Sequence, residues 1–297
     1  MEQRTDAPAP DEHNDALEEV LLEVAELRAL PAVAARVIEI AGGEKFSAHE
    51  LAQAVASDQA LTAKMLRLAN SAYYGYPRKI TTVRDAVVLL GFRAVRSAAL
   101  ASCVIDTLPG QSSNIEGARF WQFSVTVGML AEVMSTAHHR HMDEAFTAGV
   151  LHNIGRLALD QHRPRELMAV TTLAVQKKIS MPEAEKAVLG FTDAELGGAL
   201  AAHWNFPEEL VHAVAQHHLQ PDMIEDGDSL AAFVARARIF ARASGLSDGL
   251  ERRQRAEPDP EWRVPPLSKA LHQVGGMPGV QQRVEAFVAS ALGAGAA

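Results

Sequence analysis

The chain is short of the residues on which several kinds of function depend. A single cysteine, Cys103, stands among 297 residues. No disulfide framework can form within the chain, and the sequence reads as one made for a reducing cytoplasm. Aromatic residues make up only 5%. Ala, Leu and Val dominate instead, a mixture that favours closely packed helices over strands. No segment shows the convincing period-two alternation of a half-buried strand. Apolar stretches such as Ala86–Leu90 and Ala98–Ile105 are too short to cross a bilayer, and the acidic, proline-containing start is unlike a secretory signal. The phosphate-cradling loop of nucleotidases, the dinucleotide glycine fingerprint and the Gly-x-Ser-x-Gly elbow are all missing.

Basic charge is scarce as well. The net charge is −9, and residues 1–26 hold nine of the acids but only one base, Arg4. The remainder carries 28 acids against 27 bases. A near-neutral body argues against nucleic-acid binding, which rests on phosphate neutralisation by a basic face.

What is present is helical periodicity. Residues 1–13 read as a disordered acidic tail with Pro8 and Pro10. An amphipathic helix follows, with Leu17, Val20, Leu21, Val24 and Leu27 on one face. Pro31 starts the next helix, Ser47 with Glu50 has capping-box spacing, and Asp58 and the Thr82–Asp85 pair open two more. A further helical stretch runs to about Thr107, and 109–114 is a polar linker. Beyond it we expect helices over Phe120–Ala137, about Asp143–Gln161, Pro164–Lys178, Pro182–Leu189, Asp193–Trp204, Pro207–His218 and Ser229–Ala243. Residues 251–265 read as a charged, Pro-rich loop before terminal helices. The fold class is therefore all-α. The expected domain is 14–250, in an N-terminal lobe 14–108 and a second lobe 115–250, with 251–297 appended.

Several local patterns compete for a functional reading. Ser47–Asn70 has the outline of a helix-turn-helix, with Thr62, Lys64 and Arg67 placed where a DNA reader would use them. The acidic balance favours two helices simply packed in a bundle. Gly75-Tyr76-Pro77 reads as a turn. His138 and His141 have the spacing to share a metal, but with His139 they fit a solvated helix end equally well. His203 and His212 read as packing or surface residues, and Cys103 as a buried thiol rather than a nucleophile. Two groups are more specific: Gly149-Val150-Leu151-His152-Asn153-Ile154-Gly155-Arg156, and Ala215-Gln216-His217-His218. Histidines from separate helices are what a catalytic metal requires.

The chain resembles the HDOD domain, an HD-related output domain of bacterial signalling proteins. Leu30-Pro31, the run from Asp58 through Asn70 and Ser71 to Ala72, and Ile80 to Gly91 carry the likeness in the first half. In the second half it rests on Trp121, on Ala145 to Gly155 with Gly149, on Trp204-Asn205-Phe206-Pro207 and on His217-His218. It covers about residues 25–245.

The resemblance implies a multi-helical fold of two packed lobes. It also places five metal-ligand positions of the wider HD hydrolase superfamily on this chain. They fall on Phe123, on the pair His152-Asn153, on Asp193, on His217-His218 and on Arg238. Phe123 has no lone pair to offer, Asn153 is a poorer ligand than a carboxylate, and Arg238 would repel a cation. The expectation is a degenerate site with no catalytic residue and no cofactor, in which Arg238 pairs with Asp193 or caps a carbonyl where the ion would stand. The implied function is a non-catalytic regulatory module acting on a protein partner in trans, as a stand-alone version of the family. The helix at about 14–28 is one candidate contact. A metal-dependent phosphohydrolase of a nucleotide or cyclic dinucleotide, and a nucleotide or small-ligand sensor using the old cleft, are the alternatives.

Overall fold

The computed structural model describes residues 10–27, 30–42, 47–71, 74, 76–108, 114–142, 144–250 and 260–292. The expected tail at 1–9, the linker at 109–113, Gly75 and the loop at 251–259 lie outside them. Among the described residues the chain is all helical. The first group comprises α1 (Pro10–Leu27), α2 (Ala32–Gly42), α3 (Ala48–Ala56), α4 (Gln59–Ala69), α5 (Val83–Leu90) and α6 (Phe92–Thr107). Next come α7 (Gly117–His138), α8 (Ala145–Leu151), α9 (Ile154–His162), α10 (Pro164–Lys177) and α11 (Met181–Leu189). The chain continues through α12 (Asp193–His203), α13 (Glu208–Gln216), α14 (Leu230–Ala243), α15 (Leu267–Gln273) and α16 (Gly276–Leu292).

The capping residues do what their spacing predicts. Ser47 and Glu50 form a reciprocal capping box at α3, and the Asp58 and Thr82 side chains accept from the backbone N–H three residues on. Ser180 with Glu183 and Thr192 with Glu195 close two further boxes at α11 and α12.

Helices α2 to α6 pack on one another as one lobe, and α7 to α14 form the second, whose axis is the long buried helix α7. The lobes share one continuous apolar core running from Val20 to Ala291. The ends of the chain depart from the expected boundaries. Helix α1 begins at Pro10, inside the expected tail, and packs on α9 and α12 of the second lobe. Val20 and Val24 are buried there, and Arg163 reaches back to Glu19 and Glu23 at 3.1 Å. Its apolar face is therefore used within the chain. Helix α16 is no appendage either: it packs against α4, α6 and α7, burying Val280, Val284, Phe287 and Ala291. Neither docking was visible locally, because an apolar stripe specifies burial without specifying the surface it meets.

The helix-turn-helix outline also resolves into packing. Lys64 pairs with Asp106, the Arg67 guanidinium donates to the Ser290 carbonyl at 3.0 Å, and the Thr62 hydroxyl donates to the Val55 carbonyl at 3.0 Å. All three side chains meant for a DNA groove are engaged within the fold.

Candidate functional site

The second lobe is organised by two close helix crossings. A Cβ on Gly149 would stand 2.4 Å from the Gly128 Cα, so α8 and α7 touch backbone to backbone. A Cβ on Gly155 would stand 1.9 Å from the Asp193 carbonyl oxygen, so α9 and α12 do the same. Between these contacts the expected helix over about 143–161 is broken at His152-Asn153, dividing α8 from α9. The break lodges His152 and Asn153 in the core, at 0% and 1% exposure.

His217 at the end of α13 meets His152 edge to face, ring centroids 5.0 Å apart. The two are held alike. His152 Nδ1 lies 2.6 Å from the Gly149 carbonyl oxygen, and His217 Nδ1 lies 2.8 Å from that of Val214. A carbonyl only accepts, so each Nδ1 carries the proton and each Nε2 presents a lone pair. Neither Nε2 has a hydrogen-bond partner among the described residues, and neither amide atom of Asn153 has one. Burial holds both imidazoles well below the ordinary histidine range, and the positive charge of Arg238 pushes the same way. His218 is half-buried beside them and is also lowered, mainly by burial.

Phe123, expected at the first ligand position, is buried. Its ring lies 5.8 Å from that of His152, and the Arg242 guanidinium sits over it at 5.7 Å from the ring centroid. Asp193 is buried at the start of α12, and Arg156 is an ion-pair partner for it there. Arg156 Nε lies 3.0 Å from Asp193 Oδ2, while its Nη1 donates to Asp248 Oδ2 at 2.5 Å and its Nη2 lies 3.7 Å from Glu185 Oε1. All four side chains are essentially sealed from solvent. The Asp193 N–H donates to Glu185 Oε2 at 3.0 Å. Burial, with Asp193 beside it, drives the Glu185 carboxyl well above the ordinary range, whereas Arg156 opposes burial and keeps Asp193 ionised. Arg238 contributes charge to the histidines and to Asp193 from a half-buried position.

Arg156, Glu185 and Asp248 are the residues that sequence reasoning missed as part of this centre. Arg156 lies in the quoted motif but one helical turn beyond His152, and Glu185 and Asp248 come from distant segments. The only available signal was that a basic residue follows Gly155 inside an apolar helix and must find a partner.

The other expected residues are structural. The Asn70 amide donates to the Leu66 and Ile80 carbonyls at 2.8 and 2.7 Å and accepts from the Ile80 N–H at 2.8 Å, tying the end of α4 to the approach to α5. Ser71 continues that turn, its N–H donating to the Leu68 carbonyl at 3.0 Å. Trp121 is buried edge-on to Phe120, Trp204 ends α12, and the Pro207 carbonyl accepts the first bonds of α13. His138 and His141 do not converge as a pair of ligands: both pack on Phe233, and His141 Nε2 donates to the Asp228 carbonyl at 2.9 Å. His139 caps α7 in a left-handed conformation. His203 is exposed, and His212 is an exposed neighbour of Glu208. Cys103 is buried, which pushes its thiol up to about 12 and leaves it inert.

The HDOD domain profile matches residues 27–220. The chain belongs to the HDOD family. An HDOD domain protein of unknown function from Geobacter sulfurreducens superposes with a TM-score of 0.77 at 23% identity, over 93% of this chain and 98% of that one. A Shewanella amazonensis SB2B structure, named as a proposed phosphohydrolase, gives 0.68 at 26% identity, over 93% and 97%. An uncharacterized protein of Treponema pallidum (strain Nichols) is 26% identical over 63% of this HDOD chain, which spans 37% of that relative's length. No described helix is long and apolar enough to cross a membrane.

Proposed function

We propose that this HDOD protein is a non-catalytic regulatory module, and that its HD centre serves as a structural core element rather than a metal site. The observation carrying this reading is that the acid at the centre is already neutralised from within: Arg156 stands 3.0 Å from Asp193, in a place sealed from solvent. Two histidine lone pairs point inward as ligands would, but the remaining donor set does not fit a divalent ion. Asn153 is uncharged, Phe123 is apolar, and the charges of Arg156 and Arg238 bear directly on the histidines. No group of three or more metal-binding side chains is assembled among the described residues. A substrate phosphate would also have to reach His152, Asn153, Asp193 and His217, none exposed by more than 1%. The same closure argues against a nucleotide held in the old cleft. With catalysis set aside, regulation through a protein partner is the role that the family's signalling members support, and a cytoplasmic setting suits the lone reduced cysteine.

The experiment is metal analysis of protein purified from cells supplied with iron, manganese and zinc, together with hydrolysis assays on nucleoside phosphates and cyclic dinucleotides. We expect substoichiometric metal and no turnover. One metal per chain, lost in both His152→Gln and His217→Gln variants, overturns the reading.

A further inference from the structure

A groove of about 420 Å³ opens on the second lobe, between α13, the start of α14 and the short helical turn Pro221–Met223 that lies between them in the chain. Its floor is apolar. Ile224, Leu230 and Ala231 are buried there, and Leu219 is half-buried beside them. Met223 also lines the groove, with 69% of its surface exposed. Among the described residues of the second lobe, no large apolar side chain is more exposed. Solvated apolar surface beside a groove is what a partner covers.

The rim is acidic. Glu209, Glu225 and Asp226 line it, and Glu208, Asp222 and Asp228 stand next to these in the chain, all of them exposed. Arg140 is the one arginine or lysine of the lining, and it lies 3.4 Å from Asp228. His141 faces Glu209 at 3.3 Å, and His212 lies 3.9 Å from Glu208. Arg236, which approaches Gly227, is 3.0 Å from Glu261. The Asp226 side chain accepts the Asp228 N–H at 2.9 Å. Asp222, Glu225 and Asp226 have no basic partner among the described residues. Three carboxylates within five residues therefore repel one another at the mouth of an apolar groove.

We propose that this groove docks a basic segment of a protein partner, with an apolar side chain against Leu219 and Met223 and its lysines or arginines against Glu209, Glu225 and Asp226. Charge complementarity selects the occupant. A cationic chain relieves the repulsion along the rim, whereas the phosphates of a nucleic acid are repelled by it. The groove is open to solvent along Met223, unlike the enclosed clefts that bury most of a small ligand. The apolar floor adds a part of the contact that salt does not screen. Helix α13 carries Glu209, His212 and Gln216 of the groove, and His217 of the buried centre follows directly at its end. Docking thus bears on the helix that supplies the HD core with its histidine pair. The inference deepens the regulatory reading and rests on it for its role, but a binding measurement decides it, whereas metal content and turnover decide the other.

The test uses the full chain and a fluorescein-labelled peptide, Lys-Arg-Leu-Lys-Arg-Leu-Lys, read by fluorescence anisotropy. One control peptide has glutamate at every basic position, and another has serine in place of both leucines. The basic peptide is expected to bind saturably, more weakly as salt is raised, while the glutamate peptide does not bind and the serine peptide binds about tenfold more weakly. Glu225→Lys should loosen binding by about fivefold. Met223→Ser should loosen it by about tenfold. Both side chains are exposed, so neither variant should alter the melting temperature. Glu285→Lys, the same charge reversal at an exposed position of α16, should leave the affinity unchanged. Absence of saturable binding, equal binding of the serine peptide, an equal loss in Glu285→Lys, or full affinity in either Glu225→Lys or Met223→Ser overturns the proposal.

Discussion

Arg156 and His152 are four residues apart, and both are sealed in the same lobe, but their surroundings answer burial in opposite ways. Around Arg156, charge is met by charge: three buried carboxyls converge on one guanidinium. Around His152, charge is avoided: two imidazoles and an amide are kept neutral, and several of their polar atoms find no partner among the described residues. On the proposed non-catalytic reading, the difference is how such a core stands without an ion. An internal cation takes over the acid, and depressed histidine pKa values spare the core further positive charge.

The largest expected effect breaks the charged half of this pair. Arg156→Met leaves Asp193, Asp248 and Glu185 without their common cation, and should cost about 3–5 kcal/mol of stability in urea denaturation at neutral pH. A loss under 1 kcal/mol would mean that Arg238 and Arg242 already suffice, and the contrast between the two regions would dissolve.

The neutral half is probed by pH. His152 and His217 have folded pKa values well below the ordinary histidine value of 6.5, so the unfolded chain binds protons that the folded chain refuses. Stability should be fully present above pH 6.5 and fall as pH drops below it, by up to about 1.4 kcal/mol per pH unit for each histidine. Glu185 acts with the opposite sign: its folded pKa is raised above 4.5, so its contribution is lost as pH rises through the folded value. Three lowered histidines, His218 included, against two raised glutamates, Glu185 and Glu132, leave a net loss on acidification between pH 6.5 and 4.5. Urea midpoints compared at pH 7.5 and 5.5 check this, and a His152→Gln, His217→Gln double variant should flatten the profile. A profile as steep in the double variant places the titration elsewhere.

The smallest effect sharpens the boundary between the halves. Thr192 caps α12 immediately before Asp193, accepting from the Glu195 N–H at 3.2 Å. Thr192→Ala should cost about 1 kcal/mol by equilibrium unfolding. The histidine-dependent part of the pH profile should be unchanged, because the cap orients the acid and touches neither imidazole.

Much of the fold was legible residue by residue. Capping boxes depend on contacts three residues apart, so Ser47 and Glu50 announced α3 without any tertiary information. The motif around His152 located the centre for the same local reason, through glycines that admit close helix crossings. The interruption of the helix at His152-Asn153 was not legible. Its apolar periodicity runs on unbroken, and what breaks it is the backbone of Gly128 on one side and of Asp193 on the other. The docking of α1 on the second lobe and of α16 across both was hidden likewise, since Val20, Val24 and Phe287 declare only that they will be buried.

The sequence by itself determined that this is an all-helical HDOD chain and that one free cysteine lies in an apolar helix. Composition, caps and motif spacing act over one or two turns and can be read there. Only the tertiary structure decided which cation meets Asp193. The fold brings Arg156 to that acid, because the tight crossing at Gly155 brings α9 against α12 and carries that guanidinium with it. Charge pairing in a core is set by which backbones approach most closely, and that distance is a property of the packed helices together.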